Sequence, residues 1–423
     1  MKLVLLLTVL LVVAGGCMKQ SEKYCAMHPE DTVNCGGDGG AGCLDNSDCV
    51  AIDPDRPVCS EESRCVECTI DDAAQCTGGL VCNSDHTCGA CTDHAECASS
   101  VCRADGRCAD TADVAYAAAG GSGTQCTRDM PCGDLARARD TMRPIIKVSG
   151  ALRNMDIVRF AARSTEIYGD SGASVTRMQL GPILEVAGDG TELSIYGLRI
   201  TGAEGAASSG HGIVMAGNPS LAKLTLDRVI IDENEGSAVR AADGGDVTIT
   251  RSVIANNTGN HGLYLANGSF SITNTIIVAN GRISAANGAG VYVAPMTASR
   301  FEFNTVANNV STLVNGNYRG VTCGTPGFAI SNNIITDNDT SQCDVTYSFF
   351  TPGDEPPSGT GNLSGDPMFK STAMPASPTF YRLTPSSPAK DKADPAATLS
   401  DDIDGNTRPV DGRSDMGADE VIP

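Results

Sequence analysis

Two histidines occupy matching settings in the chain. His211 lies in Ser208-Ser209-Gly210-His211-Gly212, and His261 in Gly259-Asn260-His261-Gly262. A neutral imidazole can take a proton from a sugar, as a lyase or epimerase base must. Ser237 falls at the same place in the intervening repeat. The two histidines are then two coils apart, roughly 10 Å at ordinary strand spacing. No acidic residue shares their column, and polar residues at corners are usually just solvated. His211 and His261 are therefore catalytic candidates with a plain structural alternative.

Arg240, Tyr264 and Tyr292 follow as outward residues on adjacent coils. Stacked tyrosines beside an arginine make a platform for a sugar ring, so these three are the glycan-binding candidates. The alternative is surface decoration that protects a sheet. Asp232, Glu233 and Glu235 form an acidic patch beside Asn234, and Asp402-Ile403-Asp404-Gly405-Asn406 has part of a calcium loop. Calcium takes oxygen ligands of this kind. The second stretch lacks the bidentate Glu at EF-hand spacing. Calcium thus has candidates at Asp402 and Asp404, and no organic cofactor is expected. No Gly-rich phosphate loop joins a strand to a helix.

The elements that must position these residues are a repeat. Alternating strands begin at Leu193, Leu224, Val247, Phe270, Phe301 and Phe328, 23 to 31 residues apart. Leu193 and Ile195, Leu224 and Leu226, Val247 and Ile249, Phe270 and Ile272, Phe301 and Phe303, and Phe328 and Ile330 are expected to point inward. Asn234, Asn257, Asn280 and Asn338 each lie eight residues after the second inward position. That spacing predicts a ladder of amides at one corner. A second strand follows, with Ile213, Val239, Leu263 and Val291 inward. Single coils cannot bury these residues, but stacked coils can. Propeller blades need aromatic signatures and leucine-rich repeats need helices; neither is present. The expected fold is all-β: a right-handed parallel β-helix over 113–350. A short amphipathic helix over 134–142 is expected to cap its first coil.

Three sets of four cysteines precede it: Cys43, Cys49, Cys59, Cys65; Cys68, Cys76, Cys82, Cys88; Cys91, Cys97, Cys102, Cys108. This 43–108 segment has too few apolar residues for a core, so crosslinks must replace burial. Disulfides are expected at all twelve, at Cys126 with Cys132, and at Cys323 with Cys343. Cys25 and Cys35 are expected to pair as well. Zinc at Cys65-Val66-Glu67-Cys68 and Cys88-Gly89-Ala90-Cys91 is the rival. Connectivity within the sets is not readable from sequence.

The N-terminus is expected to be a leader. Lys2 is followed by an apolar run over 3–13, too short to span a bilayer. Ala14, Gly15, Gly16 and Cys17 resemble the bacterial lipobox, with Ala14 where Leu is usual. The resemblance implies cleavage after residue 16 and acylation of Cys17. With 19 cysteines in all, lipidating one leaves an even number to pair. Residues 17–42, ending in Gly36-Gly37-Asp38-Gly39-Gly40, read as a tether.

Further resemblances follow from the same motifs. The Cys sets resemble small modules of myxobacterial surface proteins. Gly120-Gly121-Ser122-Gly123-Thr124 with Cys126 and Pro131-Cys132 resembles the opening of pectate-lyase-like β-helices. In 351–423, Asp366-Pro367-Met368-Phe369, Tyr381-Arg382-Leu383, Ser387-Pro388-Ala389, Asp402-Ile403-Asp404-Gly405-Asn406-Thr407-Arg408-Pro409 and Asp415-Met416-Gly417-Ala418-Asp419-Glu420 appear in order. That series resembles the C-terminal region of choice-of-anchor Q proteins, departing at Lys390 and Asp419.

A net charge of −21 leaves no basic footprint for nucleic acid or an anionic membrane surface. The expected partners are the membrane, through acyl chains on Cys17, and an extracellular polysaccharide. The expected location is the bacterial cell envelope, on the outer membrane surface. The expected function is a non-catalytic surface lipoprotein whose rigid β-helix serves adhesion or glycan contact. The alternative is a polysaccharide lyase, hydrolase or epimerase on the same fold.

Overall fold

The computed structural model describes residues 42–72, 76–216, 221–281, 290–310, 320–351 and 356–422. The leader, Cys17 and the expected Cys25–Cys35 pair lie outside these residues. The chain divides into two compact units, which meet between Asp110 and Thr111.

In the first unit each Cys set pairs its first cysteine with its third and its second with its fourth. The bonds are Cys43–Cys59 and Cys49–Cys65, Cys68–Cys82 and Cys76–Cys88, Cys91–Cys102 and Cys97–Cys108. A small antiparallel hairpin brings the last two cysteines of each set opposite one another, as in Cys59 against Cys65 and Cys82 against Cys88. Each then bonds back to one of the first two. Cysteines committed this way cannot hold zinc, which removes the metal reading of the C-x-x-C pairs.

The second unit winds through three parallel sheets of ten, ten and eight strands. One coil runs through Glu192–Tyr196 in the first sheet, Arg199–Thr201 in the second and Ile213–Ala216 in the third. The next runs through Lys223–Asp227, Ile230–Asp232 and Val239–Ala241. Leu193, Leu224, Val247 and Phe270 align in one inward column, and Ile195, Leu226, Ile249 and Ile272 in the next. All eight are buried. The fold is a parallel β-helix behind a disulfide-rich segment. A helix at Leu135–Asp140, capped by Asp134, buries Leu135 and Ala138 against the first coils. Cys126–Cys132 and Cys323–Cys343 are both bonded.

The second sheet escapes the two-strand reading of each coil. Its later strands, Val253–Ala255, Ile276–Val278, Thr305–Ala307 and Ile334–Thr336, are buried on both faces. Parallel strands covered on both faces lose the alternating pattern and read as short apolar runs. The cover is the chain's own tail. Phe380, Tyr381, Ile403 and Ala418 pack with Val253, Ala255, Ile276 and Val278. Leu383, Ala389, Met416 and Val421 pack with Phe303, Ile334 and Phe349.

Phe301 and Phe303 correct the expected phase. Phe301 pairs with Ile272, so it is the second inward residue of its strand, not the first. Phe303 lies beyond the strand at a corner, with φ 54°. It faces the tail, where the Arg408 guanidinium stands 4.8 Å from its ring centroid. Arg251, Asn274, Asn332 and Tyr347 take the same left-handed corner position on other coils. Each also touches the tail: Arg251 and Asn274 bond Asp401, Asn332 accepts from the Asp394 amide, and Tyr347 lies under Arg413.

The amide ladder is present and has a rung that the misplaced phase hid. Eight residues after Phe301 is Asn309. Asn234, Asn257, Asn280, Asn309 and Asn338 bond side chain to side chain at 2.8, 2.9, 3.0 and 2.8 Å. Gly262 leaves room for it, since a Cβ there would stand 2.8 Å from the Asn280 side chain. A second ladder, unforeseen, runs along the other tight corner: Asn304, Asn333, Ser348 and Asn362 each accept from the backbone one coil back.

Candidate functional site

The third sheet carries the candidates. Its strands are short and mostly aliphatic at inward positions, so alternate residues must face out. Register places Arg159, Glu185, Val214, Arg240, Tyr264, Tyr292 and Thr322 in one outward row. Beside it runs a row of small residues, including Ala187, Ala216, Ala266 and Ala294. The larger side chains therefore stand as a ridge.

Within the ridge the Tyr264 and Tyr292 rings stack, with centroids 4.9 Å apart and planes 11° from parallel. The Arg240 guanidinium lies over the other face of Tyr264 at 4.7 Å. The Tyr292 hydroxyl overhangs Gly324, where any Cβ would collide with it. The three glycan candidates thus form one unit. A sugar platform needs an open ring face, however, and both faces of Tyr264 are taken. Tyr264 presents its edge and hydroxyl beside the Arg240 guanidinium instead, and Tyr292 turns its second face toward Thr322.

His261 joins the ridge, which the sequence reading kept separate. It packs edge-on to Tyr264 at 5.3 Å and tilted to Tyr292 at 5.8 Å. The useful signal was its place three residues before Tyr264, just ahead of the strand Leu263–Ala266. His261 is only 9% exposed. Burial, then the Arg240 charge, pushes its pKa down to about 4. Among the described residues neither of its ring nitrogens has a hydrogen-bond partner.

His211 is a different case. Its Nδ1 accepts from the Ser237 amide at 2.9 Å, which leaves Nε2 to donate to the Ser208 carbonyl at 3.1 Å. Both nitrogens are occupied by backbone, and the ring is buried. Burial and then Arg240 lower its pKa to about 4, against the raising effect of the Ser208 bond. His211 is a corner brace, held neutral, with no nitrogen free to move a proton. The corner column is buried rather than solvated.

The acidic candidates also serve the fold. Asp402 accepts from the amides of Asp404, Asn406 and Glu420 and from the Asn406 side chain. Asp404 takes both Arg382 donors at 2.7 Å. Asp419 closes the cluster and accepts from Leu383; burial pushes its pKa up to about 7. Asp402, Asp404 and Asp419 bring one carboxylate oxygen each to within 4.8 Å of one another, and the same side chains hold the turn together. Asp232 likewise grips Arg199 through two bonds of 2.8 and 2.7 Å, and Glu235 accepts from the Gly205 amide.

Two family models match parts of the chain, and the first agrees with this architecture. A family described as "Right handed beta helix region" matches residues 211–352. A "Family of unknown function (DUF8331)" matches residues 13–114. No curated protein matches. Among solved structures, "Crystal structure of pectate lyase Pel9A" aligns over 73% of this chain and 96% of that one. It is 12% identical, with a TM-score of 0.47. The class defined by fold and site is a right-handed parallel β-helix protein with an N-terminal disulfide-rich module and an Arg–Tyr–Tyr–His ridge.

Proposed function

We propose that this is an exported surface lipoprotein whose β-helix is a rigid, non-catalytic scaffold for contact with extracellular glycan. The observation that carries the reading is the ridge: Arg240, Tyr264, Tyr292 and His261 converge on the third sheet, with no carboxylate in ion-pair contact with Arg240 among the described residues. Hydrolysis with inversion or retention requires paired carboxylates across a sugar, and the ridge has none. The eight disulfides of the described residues suit an oxidising compartment. No helix among them is long and apolar enough to cross a membrane. Acyl chains on Cys17 supply the anchor in this reading, on the outer membrane surface. The tail, with its choice-of-anchor Q motif order, serves as a clamp on the second sheet.

His261 favours the lyase or epimerase alternative, because it is neutral and unpartnered among the described residues. It would still need an acid, and no carboxyl contacts its ring there.

Two measurements test the proposal. Replacing Cys17 by Ser should release the protein from the membrane fraction and abolish labelling by fatty acid. The purified mature protein should be retained on a glycan array, and Tyr264→Ala with Tyr292→Ala should abolish retention while leaving the unfolding transition cooperative. No retention on any glycan rules out the glycan reading. Membrane retention of the Cys17→Ser protein, with no label on the wild type, rules out the anchor.

A further inference from the structure

We infer that the ridge of Arg240, Tyr264, Tyr292 and His261 takes one acidic group, a carboxylate or a sulfate ester, carried on an otherwise neutral glycan. This rests on the glycan reading above and narrows it to a ligand class that a simple aromatic platform would not select.

Ring geometry is the first reason. Tyr264 is covered on one face by Arg240 and on the other by Tyr292. A neutral sugar that stacks through its C–H face finds no open face on that ring. Tyr292 keeps the face turned toward Thr322, but what Tyr264 presents outward beside Arg240 is its edge, and the edge of an aromatic ring is its positive rim. Edges and hydroxyls suit an oxygen anion better than a C–H surface.

Charge pairing is the second. Along the same outward row Arg159 bonds Glu185 at 3.0 Å. Elsewhere on the coils Arg199 holds Asp232, Arg251 holds Asp227 and Lys223 holds Glu192. Arg240 has no such partner among the described residues, only the Tyr264 ring. Its guanidinium keeps a planar set of donors for a carboxylate or sulfate. His261, neutral beside it, adds an imidazole without repelling the cation.

The third reason sets an upper limit on ligand charge. Among the described residues of the ridge Arg240 is the guanidinium without a carboxylate, enough to neutralise one anion, and the chain carries a net charge of −21. A polyanion would meet that field along its whole length. A single acidic group on a neutral chain meets the Arg240 cation without carrying further charge into that field.

The test compares lactose, lactose monosulfate, sialyllactose and dextran sulfate by titration into the full mature protein. The two singly acidic sugars should bind at least about tenfold more tightly than lactose, as expected for one charge-assisted contact. Dextran sulfate should gain no further affinity per sulfate. Arg240→Gln should bring the acidic sugars to within about twofold of lactose with an unchanged unfolding transition, and Arg240→Lys should restore part of the preference. The sulfate and carboxylate arms show which acid is preferred. Equal binding of lactose and sialyllactose by the wild type would overturn the inference and leave the glycan reading standing. So would an acidic preference that survives Arg240→Gln, or tightest binding by the polyanion. Failure of every sugar to bind would overturn both.

Discussion

The side-chain amide of Asn280 donates to Oδ1 of Asn309 at 3.0 Å, and the backbone amide of Asn280 reaches the same oxygen at 2.9 Å. One acceptor on the next coil therefore satisfies two buried donors. All four links of the ladder repeat the arrangement, so Asn257, Asn280 and Asn309 are each both a clamp and a clamped group.

Asn280→Leu should accordingly orphan the backbone donor of Asn257, which reaches Asn280 Oδ1 at 3.2 Å, while the Asn257 side-chain amide keeps the carbonyls of Ile231 and Ala255. Each unsatisfied buried group costs about 1–3 kcal/mol. Denaturant unfolding should show a fall of that order in the midpoint with an unchanged slope. A loss below about 0.5 kcal/mol would mean the ladder does not bind coil to coil.

Alternation along the first sheet gives a second test. Ile249 and Ile272 are wholly buried, and each Ala substitution should cost about 2–5 kcal/mol. Their neighbours Thr248 and Ser271 face outward and should tolerate Ala within about 0.5 kcal/mol. Thermal unfolding of the four variants should show this contrast, and equal tolerance at Ile249 and Thr248 would contradict the register.

The columns around Ile249 were legible because one face of that sheet is wet, and a wet face forces alternation into the sequence. The second sheet was not legible in 253–336. There the tail covers the outer face, both faces demand apolar side chains, and the pattern disappears. Phe301 and Phe303 show how this misleads. Both are large and buried, at positions two apart, so they resemble an inward pair. Only the structure shows that the left-handed corner turns Phe303 toward the tail. The ridge was half legible. Arg240, Tyr264 and Tyr292 follow from strand phase, but His261 reaches them around a corner, and corners have no period to read.

Phe303 makes the corrected phase testable. Phe303→Ala should remove the ring beneath Arg408 and open a cavity under Leu383 and Met416. Its cost, about 3–5 kcal/mol, should fall on tail docking. Limited proteolysis should then cut 366–422 early while the coils stay protected. Phe301→Ala should instead lower the stability of the coils. Identical cleavage patterns for the two would contradict the assignment.

The two histidines give a pH dependence of definite sign. Each has a folded pKa of about 4, below its ordinary value near 6.5. Above that value both states are neutral and the contribution is complete. As pH falls toward 4 the unfolded chain takes up protons that the folded one refuses, so stability is lost. Asp415 and Asp419, raised to about 6 and 7, act oppositely: their contribution is lost as pH rises from about 4 through those values. The informative quantity is thus the difference between wild type and His261→Gln. The variant should lose less stability between pH 7 and pH 4, by on the order of 2–3 kcal/mol. Parallel profiles would show that His261 is not held neutral.

Binding without turnover is the central claim, and one measurement addresses it directly. The purified mature protein is incubated with a panel of acidic and neutral polysaccharides, scoring retained ligand together with unsaturated-product absorbance and new reducing ends. Retention that depends on Arg240, with no product over prolonged incubation, is the predicted result. Product that accumulates with the wild type and vanishes with His261→Gln would contradict it and make the ridge an active site.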